Sequence, residues 1–171
     1  MFVLVVLSAL AAGEPQELLS GDALTQWREP FGEWHVVGDA FIDPGDEKRL
    51  ATKPGTGVAV NGAKGRTAHL ITRDEHGDVE AHVEFMVPKG SNSGVYFQGR
   101  YEVQILDSWG VEEPTYTDCG GIYQRWREEP GLEEAERGYE GHAPRVNASK
   151  KPGEWQTFDV IFRAPRFDEH G

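Results

Sequence analysis

An all-β fold is predicted by three features of this 171-residue chain. Apolar and polar residues alternate in several short runs. The 21 glycines and 10 prolines punctuate the chain with turns, and an aromatic content of 11% supplies bulky groups to bury between sheets or to stack on flat ligands. A hydrophobic content of 38% in this length suits one domain with a sizeable core. The formal net charge of -12 repels phosphate backbones and anionic lipid headgroups, so nucleic acid is excluded as a partner.

Residues 1–12, MFVLVVLSALAA, form an apolar run with small residues at Ala9-Leu10-Ala11. The run predicts an export signal with an A-x-A cleavage site, and hence a periplasmic or extracellular protein. It has no Lys or Arg before the apolar stretch, and its alternative is a buried N-terminal strand. The run is too short to span a bilayer, so the mature chain, residues 13–171, has no transmembrane segment. The single cysteine, Cys119, cannot form an internal disulfide and has no basic neighbour in sequence to activate it, which predicts a packed side chain.

ELLSGDALTQW has little periodicity. EWHVVGDAFI alternates and breaks at Gly38-Asp39, which predicts a hairpin there. Residues 45–65 are rich in Gly, Pro, Lys and Thr and predict loop or short irregular strands. From His69 the pattern sharpens through AHLITR and the turn-like DEHGD into VEAHVEFMV, where Val79, Ala81, Val83, Phe85 and Val87 share one face and Glu80, His82, Glu84 and Met86 the other. Two further strands, GVYFQ and YEVQILD, flank Gly99-Arg100. Tyr101, Val103 and Ile105 point inward, so Glu102 and Gln104, joined by Tyr96 and Gln98, point outward. If both strands line one core, His82 and Glu84 lie on that same polar face. Asp107 has the parity of the buried set and is expected at the strand end. The charged segment from Arg127 to Trp155 reads as surface loop with one short helix after Pro130, and EWQTFDVIFRAP returns to strand patterning.

Phosphate loops, dinucleotide fingerprints, H-E-x-x-H and C-x-x-C are all absent. Instead there is a polar constellation. Glu84 and Glu102 are carboxylates suited to acid and base work, His82 to proton transfer or metal holding, and Arg100 to clamping a hydroxyl or a developing oxyanion. On spacing alone His82 and Glu84 read first as a solvated sheet face, and Glu102 fits either reading. Trp109, Tyr116, Tyr123 and Trp126 follow in the adjoining loops, where exposed rings could stack on pyranose faces. Asn147-Ala148-Ser149 fits a glycosylation sequon but is expected to make a turn.

NSGVYFQGRYEVQILDSWG, CGGIYQRW and NASKKPGEWQTFDVIFRAPRFD, in this order, resemble the 3-keto-disaccharide hydrolase domain family, and LLSGDALTQW and LITRDEHGDVEAHVEF match its opening strands. The resemblance implies a concanavalin-like β-sandwich, a jelly roll of two antiparallel sheets. It also implies cleavage of 3-keto-glycosides: a base removes the C2 proton acidified by the C3 ketone, the C1 substituent departs, and water adds later. The resemblance does not itself assign the roles; from the residues that these motifs supply, Glu102 and His82 are expected to transfer protons, and Arg100, Gln104, Glu84, Asp107, Tyr96 and Tyr123 to bind substrate. A divalent metal held by His82 and a carboxylate is compatible with the set but not required by it. The expected partner is a carbohydrate, with a separate sugar 3-dehydrogenase upstream to make the ketone. Family members usually continue past FRAPRFD through a V-x-H-N-G-V strand and an L-Q-D-H-G stretch, so the chain is expected to be truncated, with an unpaired sheet edge. A non-catalytic lectin-like module on the same fold is the alternative. A two-carboxylate glucanase lacks support, because YEVQILD has Gln104 where a second acid is needed.

Overall fold

The computed structural model describes residues 3–10 through their backbone, and residues 16–19, 21 and 23–167 with their side chains, that of Glu134 excepted. The described residues form the expected all-β sandwich, with one four-residue helix, Glu134–Arg137 (α1), in the loop after Pro130. Among the described residues the glycine-rich and alternating stretches leave no segment long enough to nucleate a further helix.

The larger layer is a five-stranded antiparallel sheet. It contains Val3–Leu10 (β1), His35–Asp43 (β2), Asp46–Val60 (β3), Val79–Met86 (β4) and Gln156–Phe162 (β9), ordered β2-β3-β1-β4-β9. The apolar run at the chain start thus pairs through its backbone with β4 along most of its length and with the end of β3. Residues 1, 2 and 11–15, including Ala11 of the Ala9-Leu10-Ala11 site, lie outside the described residues. Among the described residues β9 pairs only with β4 and forms one edge.

The smaller layer is built on Asn92–Phe97 (β5) and Tyr101–Leu106 (β6), joined by a turn in which Gln98 (φ 53°) and Gly99 (φ 62°) adopt left-handed backbone. Isolated bridges extend it: Val103 pairs with Ile122, and Ile122 with His142. Arg125–Trp126 (β7) and Gly138–Tyr139 (β8) then pair with one another farther along the same segments. Val83 and Phe85 from the large sheet, and Phe97, Val103 and Ile105 from the small one, meet in a single core. Phe97 stacks on Phe162 across the layers at 5.2 Å, and Phe85 meets Phe158 at 4.7 Å.

Three local expectations are corrected. Gly38-Asp39 is no turn: β2 runs through it with a register shift, and the hairpin turns at Pro44-Gly45. Gly38 is needed for close approach, since a Cβ there would stand 2.7 Å from the Pro54 carbonyl oxygen and 2.9 Å from the Gly55 Cα. Residues 45–65 contain the longest strand, β3, where pairing with β2 overrides weak local propensity and Gly55 (φ 145°) and Gly57 (φ 101°) absorb the irregularity. AHLITR contributes only a bridge between Thr72 and Trp27, whose indole donates to the Leu18 carbonyl at 2.8 Å.

Candidate active site

The smaller layer turns its core-facing residues, Val95, Phe97, Tyr101, Val103 and Ile105, inward. Period-2 alternation therefore turns Gly94, Tyr96, Glu102 and Gln104 outward. Tyr96 and Glu102 are direct cross-strand partners, and Tyr123 donates its backbone N–H to the Glu102 carbonyl at 2.9 Å, so the three occupy one row across the sheet. Arg125 is two residues along from Tyr123 on the same side and pairs with Tyr139. This row and its neighbour line a cleft of about 520 Å³, rimmed by Arg100 and Trp126.

Glu102 is the centre of the cleft. The Tyr96 hydroxyl donates to its Oε2 at 2.5 Å, a charge-assisted geometry. Burial pushes the Glu102 carboxyl up from its ordinary value, opposed by the Tyr96 bond and by the nearby charge of His69. Burial, and then the bond and charge of Glu102, push the Tyr96 phenol far up, so it remains a donor throughout the physiological range. Gly94, directly beneath, leaves the space the carboxylate occupies: a Cβ there would fall 2.0 Å from Oε1. His69 stands edge-on to Tyr96 at 6.2 Å.

The far wall is cationic and aromatic. Arg125 lies between the rings of Tyr101 and Tyr139, at 5.3 and 4.7 Å, and pairs with Glu140. Arg127 faces Tyr139 at 4.8 Å. Arg100 contacts the Tyr139 hydroxyl at 3.4 Å and, held by no carboxylate among the described residues, keeps its guanidinium available to the cleft.

The expected residues divide. Glu102, Tyr96, Arg100 and Tyr123 meet in this cleft. His82 and Glu84 do not share their face: β4 belongs to the other layer, so outward there points away from the small sheet, with the core between them. His82 instead meets Asp159 on β9, Nδ1 to Oδ1 at 2.6 Å. That pair supplies two donors, fewer than a divalent cation requires, and no group of three His, Cys, Asp or Glu side chains converges among the described residues. Gln104 is covered by the 117–121 loop. Its Nε2 donates to the Thr117 carbonyl, and its backbone pairs with Gly120 and Gly121. Asp107 sits at the strand end, accepting from the Gly90 N–H at 2.9 Å in a separate cleft. Asn147 donates to the Ser108 and Val111 carbonyls and accepts from the Ser149 N–H, the expected turn, which leaves its amide engaged. Cys119 is packed, and burial pushes its thiol up.

His69, Arg125 and Tyr139 are the residues that alternation misses. They arrive from a strandless loop and from two-residue strands, where no period exists to read.

A family model described as the 3-keto-alpha-glucoside-1,2-lyase-like domain matches residues 14–170. No curated protein and no solved structure matches the chain.

Proposed function

Because the chain belongs to the 3-keto-alpha-glucoside-1,2-lyase-like family and so to a carbohydrate-processing group, we propose that it cleaves 3-keto-glycosides by β-elimination in the Glu102 cleft. The observation that carries this reading is the half-buried Glu102 carboxylate, raised by burial and oriented by the Tyr96 hydroxyl. A carboxylate of raised proton affinity is a better base for a carbon acid than an exposed one.

Glu102 takes the C2 proton of a substrate whose C3 ketone acidifies it. The electron pair moves into the C2–C3 bond and leaves the C3 oxygen as an enolate, which Arg100 stabilises. Collapse of the enolate restores the ketone, forms the C1–C2 double bond and breaks the bond from C1 to the aglycone oxygen. That oxygen takes a proton from His69, whose imidazole stands edge-on to Tyr96 at 6.2 Å. Addition of water across C1–C2 completes net hydrolysis. His69 here takes the part expected of His82, which stands on the other layer. Tyr123 provides a ring face for the sugar.

Turnover of a chromogenic 3-keto-glucoside beside its unoxidised parent tests the reading. The wild-type chain should cleave only the keto compound, and Glu102→Gln should lower kcat at least about 10²-fold while the sugar still binds. Cleavage of the parent, or undiminished turnover by Glu102→Gln, would overturn it. The ketone requires a sugar 3-dehydrogenase upstream. Export is proposed on the apolar run at residues 1–12. Cleavage there would remove β1 and open the ladders of β3 and β4, so fractionation with N-terminal sequencing is decisive, and protein found only inside the cell with an uncleaved terminus would overturn export.

A further inference from the structure

A second cleft, of about 500 Å³, lies at the other end of β6, where the β2–β3 turn, the 87–90 turn and the loops at 108–111 and 150–153 come together. At its mouth stands Trp109, 53% exposed. An indole this exposed gains little for folding, and the backbone that carries it is nonetheless fixed. The Val111 N–H bonds to the Ser108 carbonyl at 3.1 Å, Gly110 supplies the left-handed residue (φ 81°), and the Asn147 side chain ties both Ser108 and Val111.

The surrounding loops are pinned in the same way. The Lys89 N–H donates to the Glu47 carbonyl at 3.0 Å, and the Gly153 N–H to the Val87 carbonyl at 2.9 Å. Gly153 lies so close to Ile42 that a Cβ would stand 2.5 Å from its Cγ1. Within this frame the polar groups balance. Lys89 pairs with Glu47 at 2.7 Å, Asp107 accepts from the Gly90 N–H while keeping further lone pairs, and the Lys151 ammonium stands 5.5 Å from the Trp109 ring centroid. An anion entering this cleft meets Glu47 and Asp107, and a cation meets Lys89 and Lys151. A hydroxyl both donates and accepts and can use either set.

We propose that this cleft is a second carbohydrate site, distinct from the Glu102 cleft, which takes a neutral pyranose ring stacked on Trp109 with its hydroxyls directed to Asp107 and Lys151. An aromatic platform carried on a hydrogen-bonded loop, with donors and acceptors around it, binds at a reduced ordering cost, which favours useful affinity from a small contact area. Binding here requires no ketone and is independent of turnover.

Saturation-transfer NMR titrations of the full chain with maltotriose and cellotriose, both unoxidised, test the proposal. At least one should bind saturably. Trp109→Ala should weaken it by at least about tenfold, Trp109→Tyr, which keeps a platform, should bind within about threefold of wild type, and Glu102→Gln should bind as wild type. The Tyr variant separates loss of the ring from loss of the fold. Failure of both sugars to bind, undiminished binding by Trp109→Ala, or loss in Glu102→Gln instead would each overturn the proposal.

Discussion

Gly94→Ala isolates the geometry of the proposed base from its chemistry. Gly94 lies in β5 with φ outside the left-handed region, so its backbone accepts alanine without strain, and the obstacle is the neighbour. The added Cβ would stand 2.0 Å from Glu102 Oε1 and 2.8 Å from both Cγ and Cδ, whereas ordinary contact begins near 3.4 Å. The carboxylate must retreat by about 1.4 Å to reach that separation, and it is the end of a flexible side chain that can do so. Retreat breaks the 2.5 Å bond from Tyr96. Both groups are partly exposed, so the loss of stability is held to about 1.5 kcal/mol or less, about 5 °C in Tm. Catalysis suffers more. Misplacing a catalytic group by about 1 Å costs about 10²-fold, equivalent to about 2.7 kcal/mol of transition-state stabilisation. The assay pairs thermal melting by circular dichroism with kcat/KM on a 3-keto-glucoside. A folded Gly94→Ala protein with kcat/KM within about twofold of wild type would refute the placement of Glu102 as base. A fall in Tm beyond about 10 °C would show that Gly94 serves packing instead.

Two further perturbations test the electrostatics and the frame. Tyr96→Phe removes a bond that lowers the Glu102 pKa and leaves the raising effect of burial less opposed, so the acid limb of the kcat/KM profile should move to higher pH; an unmoved limb would detach Tyr96 from the base. Asp118 is held below its usual range although burial acts to raise it, because it accepts from the Thr115 N–H at 2.8 Å, the Ser108 hydroxyl at 3.0 Å and the Thr115 hydroxyl at 3.1 Å. Asp118→Ala strands those donors beneath the loop that covers Gln104 and should cost about 2–3 kcal/mol in urea unfolding, with a cost under about 0.5 kcal/mol counting against the network. With the folded pKa lowered, this stabilisation is present above the unfolded Asp value and is lost as pH falls through the folded one. The difference between wild type and Asp118→Ala should therefore shrink only in acid.

Alternation along single strands was enough to establish the all-β class and the inward or outward direction of nearly every residue in β4, β5, β6 and β9, because the side-chain period of a strand is a local property of the backbone. It likewise placed Tyr96 and Glu102 together, since a two-strand hairpin fixes its own pairing. Only the tertiary structure decided which layer each strand joins. Outward on β4 and outward on β6 are opposite directions once the core lies between them, which separated His82 and Glu84 from Glu102. Long-range pairing also made a 15-residue strand of a glycine-rich stretch that has no period of its own, and brought Arg125 and Tyr139 to the cleft, and His69 to the edge of Tyr96, from segments with no regular repeat. A chain's local period states which way a side chain faces; the packing of layers determines what it faces.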